Sequence, residues 1–187
     1  AHRRMADTQS RFPDALYNAQ QVRDLDARLI AAGTPGLQLM QRAACAIWHA
    51  VRQRWPDAGV LTVLAGHGNN AGDGYLVAEL ALRAGWAVQV LAVGDPALLR
   101  GDAATACAQA CAAGVRVSPW AGQPLAGVLL DALLGTGLSG EVREPCKAAI
   151  AAINDSGLPV AEVTPREAYN AIVDNNVELV SIENLQG

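Results

Sequence analysis

Lysine, phenylalanine and histidine are almost missing from this 187-residue chain, which has one Lys, one Phe and three His. Lys147 is therefore the sole candidate for any chemistry that needs an amine. Basic residues are outnumbered, 14 Lys and Arg against 18 Asp and Glu, and nowhere do they cluster. A net charge of −4 without a basic patch argues against a nucleic-acid partner. No apolar stretch reaches the roughly 18 residues that a spanning helix needs, so no membrane partner is expected. The opening Ala1-His-Arg-Arg-Met5 lacks the apolar segment of a secretory signal, and residues 1–15 read as a disordered leader. Of four cysteines (Cys45, Cys107, Cys111, Cys146), Cys107 and Cys111 stand at i, i+4 on one helical face, a spacing that could ligate a metal. No second pair at zinc-site spacing accompanies them, so small buried core residues in a reducing, cytoplasmic setting are expected.

What is present is apolar: 51% of the residues are hydrophobic, much of that alanine and leucine. The length suits one domain with a sizeable core. A helix is expected from Asn18, with Gln21 completing a capping box and Gly33-Thr34-Pro35-Gly36 stopping it. A second helix, about Leu37 to Trp55, ends at Pro56. Alternation follows. Strands are expected at Val60–Leu64, Ala87–Val93, Val115–Val117, Gly127–Leu134 and from Leu158, and helices at Gly74–Ala84, Asp102–Ala113 and Pro145–Asn154. That spacing argues for a parallel, doubly wound α/β sheet.

Two glycine-rich loops each follow a strand, so both should reach the carboxyl edge of the sheet, where such folds bind ligands. The first, Gly66-His-Gly-Asn-Asn-Ala-Gly-Asp-Gly74, runs from a strand into a helix and offers free N–H groups and a positive dipole end to an anion. It is neither the dinucleotide fingerprint nor a P-loop, because the glycine spacing and the lysine are wrong. Asn69, Asn70 and Asp73 suggest binding through side chains as well; the plain alternative is a connection with asparagines in left-handed turns. The second is Asp131-Ala-Leu-Leu-Gly-Thr-Gly-Leu-Ser-Gly-Glu141. Asp131 interrupts an apolar strand, and a buried carboxylate needs either a cation or several donors. A hard cation held by oxygen ligands and an aspartate accepting backbone N–H bonds both satisfy it. Ser139 stands in no elbow motif, so a Ser-His-Asp hydrolase is not supported. His67 reads as a polar surface group.

Three of these features together resemble the NAD(P)H-hydrate epimerase family. They are the helical preamble with Met40-Gln-Arg-Ala-Ala44, the Gly66–Gly74 loop (similar to GxGNNGGDG), and Asp131–Gly140 (similar to D-A-x-x-G-x-G). Ala71 stands where the family usually has glycine. The resemblance covers about residues 16–160 and implies a Rossmann-like three-layer sandwich with a mostly parallel sheet. It implies interconversion of the R and S forms of hydrated NADH or NADPH at C6, with a potassium ion as cofactor. Carried over, it places Asn69, Asn70, Ala71, Gly72 and Asp73 against the substrate, together with Gly135, Thr136, Gly137, Leu138, Ser139, Gly140 and Glu141. Asn70 and Asp131 become potassium ligands.

The resemblance stops after Leu158-Pro159-Val160. The family continues into V-D-I-P-S-G, whose aspartate is the proposed acid–base and whose serine completes the potassium site. Here the chain reads Ala161-Glu-Val-Thr-Pro-Arg-Glu-Ala-Tyr-Asn170, and Glu162 is the only acid near that place. Residues 164–187 resemble instead a C-terminal stretch of PLP-dependent ornithine/lysine/arginine decarboxylases, giving a helix-strand tail at 161–187. Three functions follow as expectations: an epimerase-type domain, a non-catalytic nucleotide-binding or protein-interaction module, and an engineered chimera whose tail completes a truncated domain. Assembly into a homodimer stays open.

Overall fold

The computed structural model describes residues 36–133 and 142–163. The leader 1–15, the expected helix from Asn18, the loop Gly135–Glu141 and the tail beyond Val163 lie outside the described residues. Helix α1 (Gly36–Arg54) precedes strand β1 (Val60–Ala65), helix α2 (Asn69–Arg83) and strand β2 (Ala87–Ala92). Helix α3 (Gly101–Ala112), strands β3 (Arg116–Pro119) and β4 (Val128–Ala132), helix α4 (Cys146–Asp155) and strand β5 (Val160–Glu162) follow. All strand pairs are parallel, in the order β3-β2-β1-β4-β5. The chain thus builds outward from β1 to β3 and returns to the other side of β1 for β4 and β5. The switch point lies between β1 and β4, and ligands bind such sheets at the carboxyl ends beside it.

Helices cover both faces of this sheet, as the parallel arrangement requires. On one face α1, α2 and α3 bury Ile47, Trp48, Tyr75, Val77 and Ala106 against Leu61, Val63, Val90 and Leu130. On the other, α4 sets Cys146, Ala149 and Ile153 on Leu64, Leu129 and Leu133. Each buried Leu or Val contributes about 1.5–3 kcal/mol by leaving water. Trp48 meets Trp86 edge to face at 5.0 Å between centroids.

The main departure from expectation is the start of α2. The Gly66–Gly74 stretch was expected to be a turn with its helix beginning at Gly74, yet the helix begins at Asn69. Glycine and asparagine are poor helix formers, and packing overrides that preference. A Cβ on Gly72 would meet Met40 Cε of α1 at 2.7 Å and Ala103 Cα of α3 at 3.0 Å. A Cβ on Gly74 would meet Ala132 Cβ of β4 at 2.7 Å. These glycines let α2 lie close to two helices and a strand. No non-glycine residue among those described has positive φ, so the asparagines occupy no left-handed turn and Ala71 fits its helical position without strain. The cysteine expectation also needs correction. Cys146 is buried, but Cys45 and Cys107 are only half-buried and Cys111 is exposed. None of the four is in a disulfide.

Candidate functional site

β1 delivers Gly66 to the carboxyl edge, where its N–H donates to Ala132 O at 3.0 Å. The Gly66 Cα is so close to β4 that a Cβ would collide with the Leu133 carbonyl. β1 and β4 are therefore tied together at the switch point. Gly68 is the N-cap of α2 and offers no capping side chain, so the helix presents uncapped N–H groups there. Its Cβ position opens to free space. An anion at this point meets the positive end of α2.

Asn69 and Asn70 occupy the first turn of α2, Asn69 exposed and Asn70 half-buried. Asn70 Nδ2 donates to Val163 O at 3.3 Å, across 93 positions of sequence. Val163 N in turn donates to Asp131 O at 3.1 Å. One residue beyond β5 thus links the first turn of α2 to the end of β4. Asp131 Oδ1 accepts from Leu133 N at 3.1 Å, so part of the carboxylate has the backbone partner that the plainer reading of this residue anticipated. Burial pushes the Asp131 carboxyl above its ordinary value; the Leu133 bond opposes this and the Glu162 charge adds to it. Glu162 stands directly opposite Asp131 in the β4–β5 register and is exposed. On the α4 side the buried Cys146 thiol is pushed up by desolvation, then by the charges of Asp131 and Glu144.

Val163 therefore joins the Asn70 amide to the main chain of Asp131, and the Asp131 carboxylate lies beside the Glu162 charge. Ala71 and Gly72 are buried, with the Gly72 Cα against α1 and α3, and Asp73 is 9% exposed. His67 is exposed, near Gly94 at the end of β2. Gly135, Thr136, Gly137, Leu138, Ser139, Gly140 and Glu141 fall outside the described residues. Sequence reasoning missed Val163 and Leu133, which act through backbone groups, and no pattern of side chains could have found them.

A model of the YjeF-related protein N-terminus matches residues 36–164. The chain belongs to that family. A bifunctional NAD(P)H-hydrate repair enzyme of Coxiella burnetii is 43% identical over 146 residues, which are 76% of this chain and 30% of the relative. This chain therefore spans under a third of the length of that relative. An NAD(P)H-hydrate epimerase of Pirellula staleyi is 36% identical over 154 residues, 76% of this chain and 67% of the relative. The crystal structure of yeast ynu0 shares the fold with a TM-score of 0.70 at 22% identity, covering 80% of this chain and 69% of that one. The resemblance read from the two loops and the preamble is borne out by these matches.

The decarboxylase resemblance is borne out as well. A short match to the biodegradative arginine decarboxylase of Escherichia coli is 97% identical over 32 residues, 17% of this chain and 4% of the relative. Residues 164–187 number 24 (187 − 164 + 1), so 32 matched residues do not fit within them.

Proposed function

We propose that this chain is an NAD(P)H-hydrate epimerase-type domain that binds hydrated NADH or NADPH and acts on the R and S forms at C6. The observation that carries the reading is the link through Val163 between the Asn70 amide and the Asp131 main chain, beside the uncapped start of α2. Family membership and the names of the relatives support it. In this reading the α2 N–H groups take a phosphate of the dinucleotide, as helix N-termini do.

The donor set suits a potassium ion as cofactor. Asn70 and Asp131 supply oxygen, and no cluster of three His, Cys, Asp or Glu exists among the described residues to draw a transition metal instead. A partly buried carboxylate whose proton affinity is raised by burial and by Glu162 gains from a neighbouring cation. A potassium ion at Asn70 and Asp131 would supply positive charge beside the bound phosphate. Cytoplasmic placement fits four cysteines outside any disulfide. Among the described residues no helix is long and apolar enough to cross a membrane.

Proton transfer at C6 needs an acid–base group within hydrogen-bond reach of the substrate. Where the family places an aspartate after this strand, the chain has Glu162 at the end of β5, on the same register line as Asp131. Glu162 is our candidate for that role. A second reading, a binding module without turnover, follows from the same substitution. Epimerisation of purified R-NADHX in potassium and in lithium buffer, with NADP binding measured in parallel, separates the two. Potassium-dependent turnover that Glu162→Gln abolishes while binding persists supports the enzyme. Binding without turnover supports the module, and absence of both overturns the proposal.

A further inference from the structure

β1 is the middle strand of the described sheet and α2 starts directly after it, so the proposed phosphate position lies at the centre of the carboxyl edge. Asp131 and Glu162 stand on β4 and β5, to one side of that centre. A dinucleotide carries its diphosphate between two nucleoside halves. With the reacting ring over β4 and β5, beside the acid–base candidate, the purine half runs the other way, over β2 and β3.

Trp120 is the first residue beyond β3. Its N–H donates to Ala92 O at 2.9 Å, Val93 N donates to Ala65 O at 2.8 Å, and Gly66 N donates to Ala132 O at 3.0 Å. Trp120, Val93 and Gly66 thus form one row across the carboxyl edge, directly above the Pro119, Ala92, Ala65 register. Neighbouring strands lie about 4.7–4.9 Å apart, which sets the Trp120 backbone roughly 9–10 Å from Gly66. Gly94, one residue above that row, carries no side chain into the path, and a Cβ there would stand 3.5 Å from His67 Nδ1. The indole is half-buried and packs on the apolar cluster that holds Val93 and Leu133, the residues that follow β2 and β4. Its buried Nε1 meets no acceptor among the described residues, so packing alone positions the ring. One part of the ring is thereby fixed, and the rest is open to solvent at the edge where the ligand passes.

We propose that Trp120 is the platform on which the purine base of the dinucleotide rests, with the reacting ring held at the opposite, β4–β5 side. The proposal rests on the epimerase-type reading above and adds the direction in which the ligand lies. An indole offers a purine a flat, polarizable face, and stacking of a base on an aromatic side chain is worth roughly 5- to 150-fold in affinity. Trp120 meets the base and not the ribose, so the platform serves hydrated NADH and hydrated NADPH alike. The other three tryptophans stand at the far end of the sheet: Trp86 directly precedes β2, Trp48 touches Trp86, and Trp55 lies between α1 and β1. A ligand at the carboxyl edge therefore reports through Trp120.

The test is a fluorescence titration of the full chain with ADP, which has the purine and diphosphate but no nicotinamide, and with NADP. Both should quench the parent. Trp120→Phe keeps a ring at the site and Trp120→Leu keeps only apolar bulk; calorimetry gives their affinities, and urea midpoints show that they are folded. Trp120→Phe should bind ADP nearly as the parent does, and Trp120→Leu more weakly by roughly 5- to 150-fold. The quenching should vanish in both. Equal ADP affinity in the Phe and Leu variants overturns the proposal, because packing and not stacking would then be the role of the residue. Quenching that persists in Trp120→Phe overturns it too, and this comparison decides alone where Trp120→Leu does not fold. NADP binding that Trp120→Leu leaves unchanged overturns this proposal only. A parent that binds neither NADP nor ADP overturns the epimerase-type reading, and the platform with it.

Discussion

Replacing Gly66 by alanine tests the tie between β1 and β4. The new Cβ would run into the Leu133 carbonyl, with Leu133 Cα at 3.3 Å behind it. Both atoms are backbone, so no rotamer change relieves the contact and the strands must part. Overpacking of this kind costs about 1–3 kcal/mol. Parting the strands also weakens the Gly66 N to Ala132 O bond, worth about 1 kcal/mol. The lower entropy of the unfolded alanine chain returns about 0.4–1 kcal/mol. The expected net loss is about 1–3.5 kcal/mol, or roughly 2–14 °C in Tm for a chain of this size. Gly72→Ala is the matched comparison within the same motif. Its Cβ would meet the movable end of Met40 first and Ala103 Cα at 3.0 Å, and an alanine within the helix gains about 1 kcal/mol over glycine. That variant should stay within about 1 kcal/mol of the parent, since the gain offsets the shift of Met40. Urea unfolding followed by tryptophan fluorescence measures both. If Gly66→Ala is as stable as the parent, or Gly72→Ala is the more damaged of the two, the assignment of these glycines to close approach is wrong.

Asp131→Asn should stabilise the chain at neutral pH in potassium-free buffer, because a partly buried carboxylate no longer has to ionise. The sign follows from a folded-state pKa raised by burial, with Glu162 adding: the native carboxyl holds its proton more tightly than the unfolded one. Stability of the parent therefore falls as pH rises above the ordinary 3.8 and through the higher native value, and the variant should lack that fall. Thermal unfolding across pH checks this, and equal pH profiles would refute it. Trp48→Ala, which empties a 3%-exposed site and removes the edge contact with Trp86, should cost about 3–5 kcal/mol in the same urea assay. Glu79→Ala breaks a 2.8 Å pair with Arg83, whose side chain is 68% exposed, and should change stability by no more than about 0.5 kcal/mol. A larger change there would mean that Glu79 has a role beyond the pair.

The sheet was legible in the sequence because Val60–Leu64, Ala87–Val93 and Val128–Leu130 are apolar β-branched runs between turn signals, which fully buried parallel strands require. The exposure of Cys111 was not, because α3 is alanine-rich on both faces. Ala103, Ala106 and Ala110 are buried while Ala108 and Ala112 are exposed, so no contrast marks which side faces in. The beginning of α2 was hidden by low helix propensity that contacts with α1, α3 and β4 override. Asn70 and Asp131 could be named from their motifs. Their common partner Val163 could not, since it acts through its amide and carbonyl across 93 residues of chain.

The strand order also fixes a sequence of events in time. β1 meets β2 with Val60 opposite Ala87, and β2 meets β3 with Gln89 opposite Arg116, each 27 positions apart. β1 meets β4 only with Leu61 opposite Val128, 67 positions apart. Closing the longer loop costs more chain entropy and slows pairing. The β1–β3 half should therefore gain protection from hydrogen exchange first during refolding. β4 and β5, and with them the link from Asn70 through Val163 to Asp131, come last. The corner of the molecule proposed to hold the dinucleotide is thus also the last to assemble.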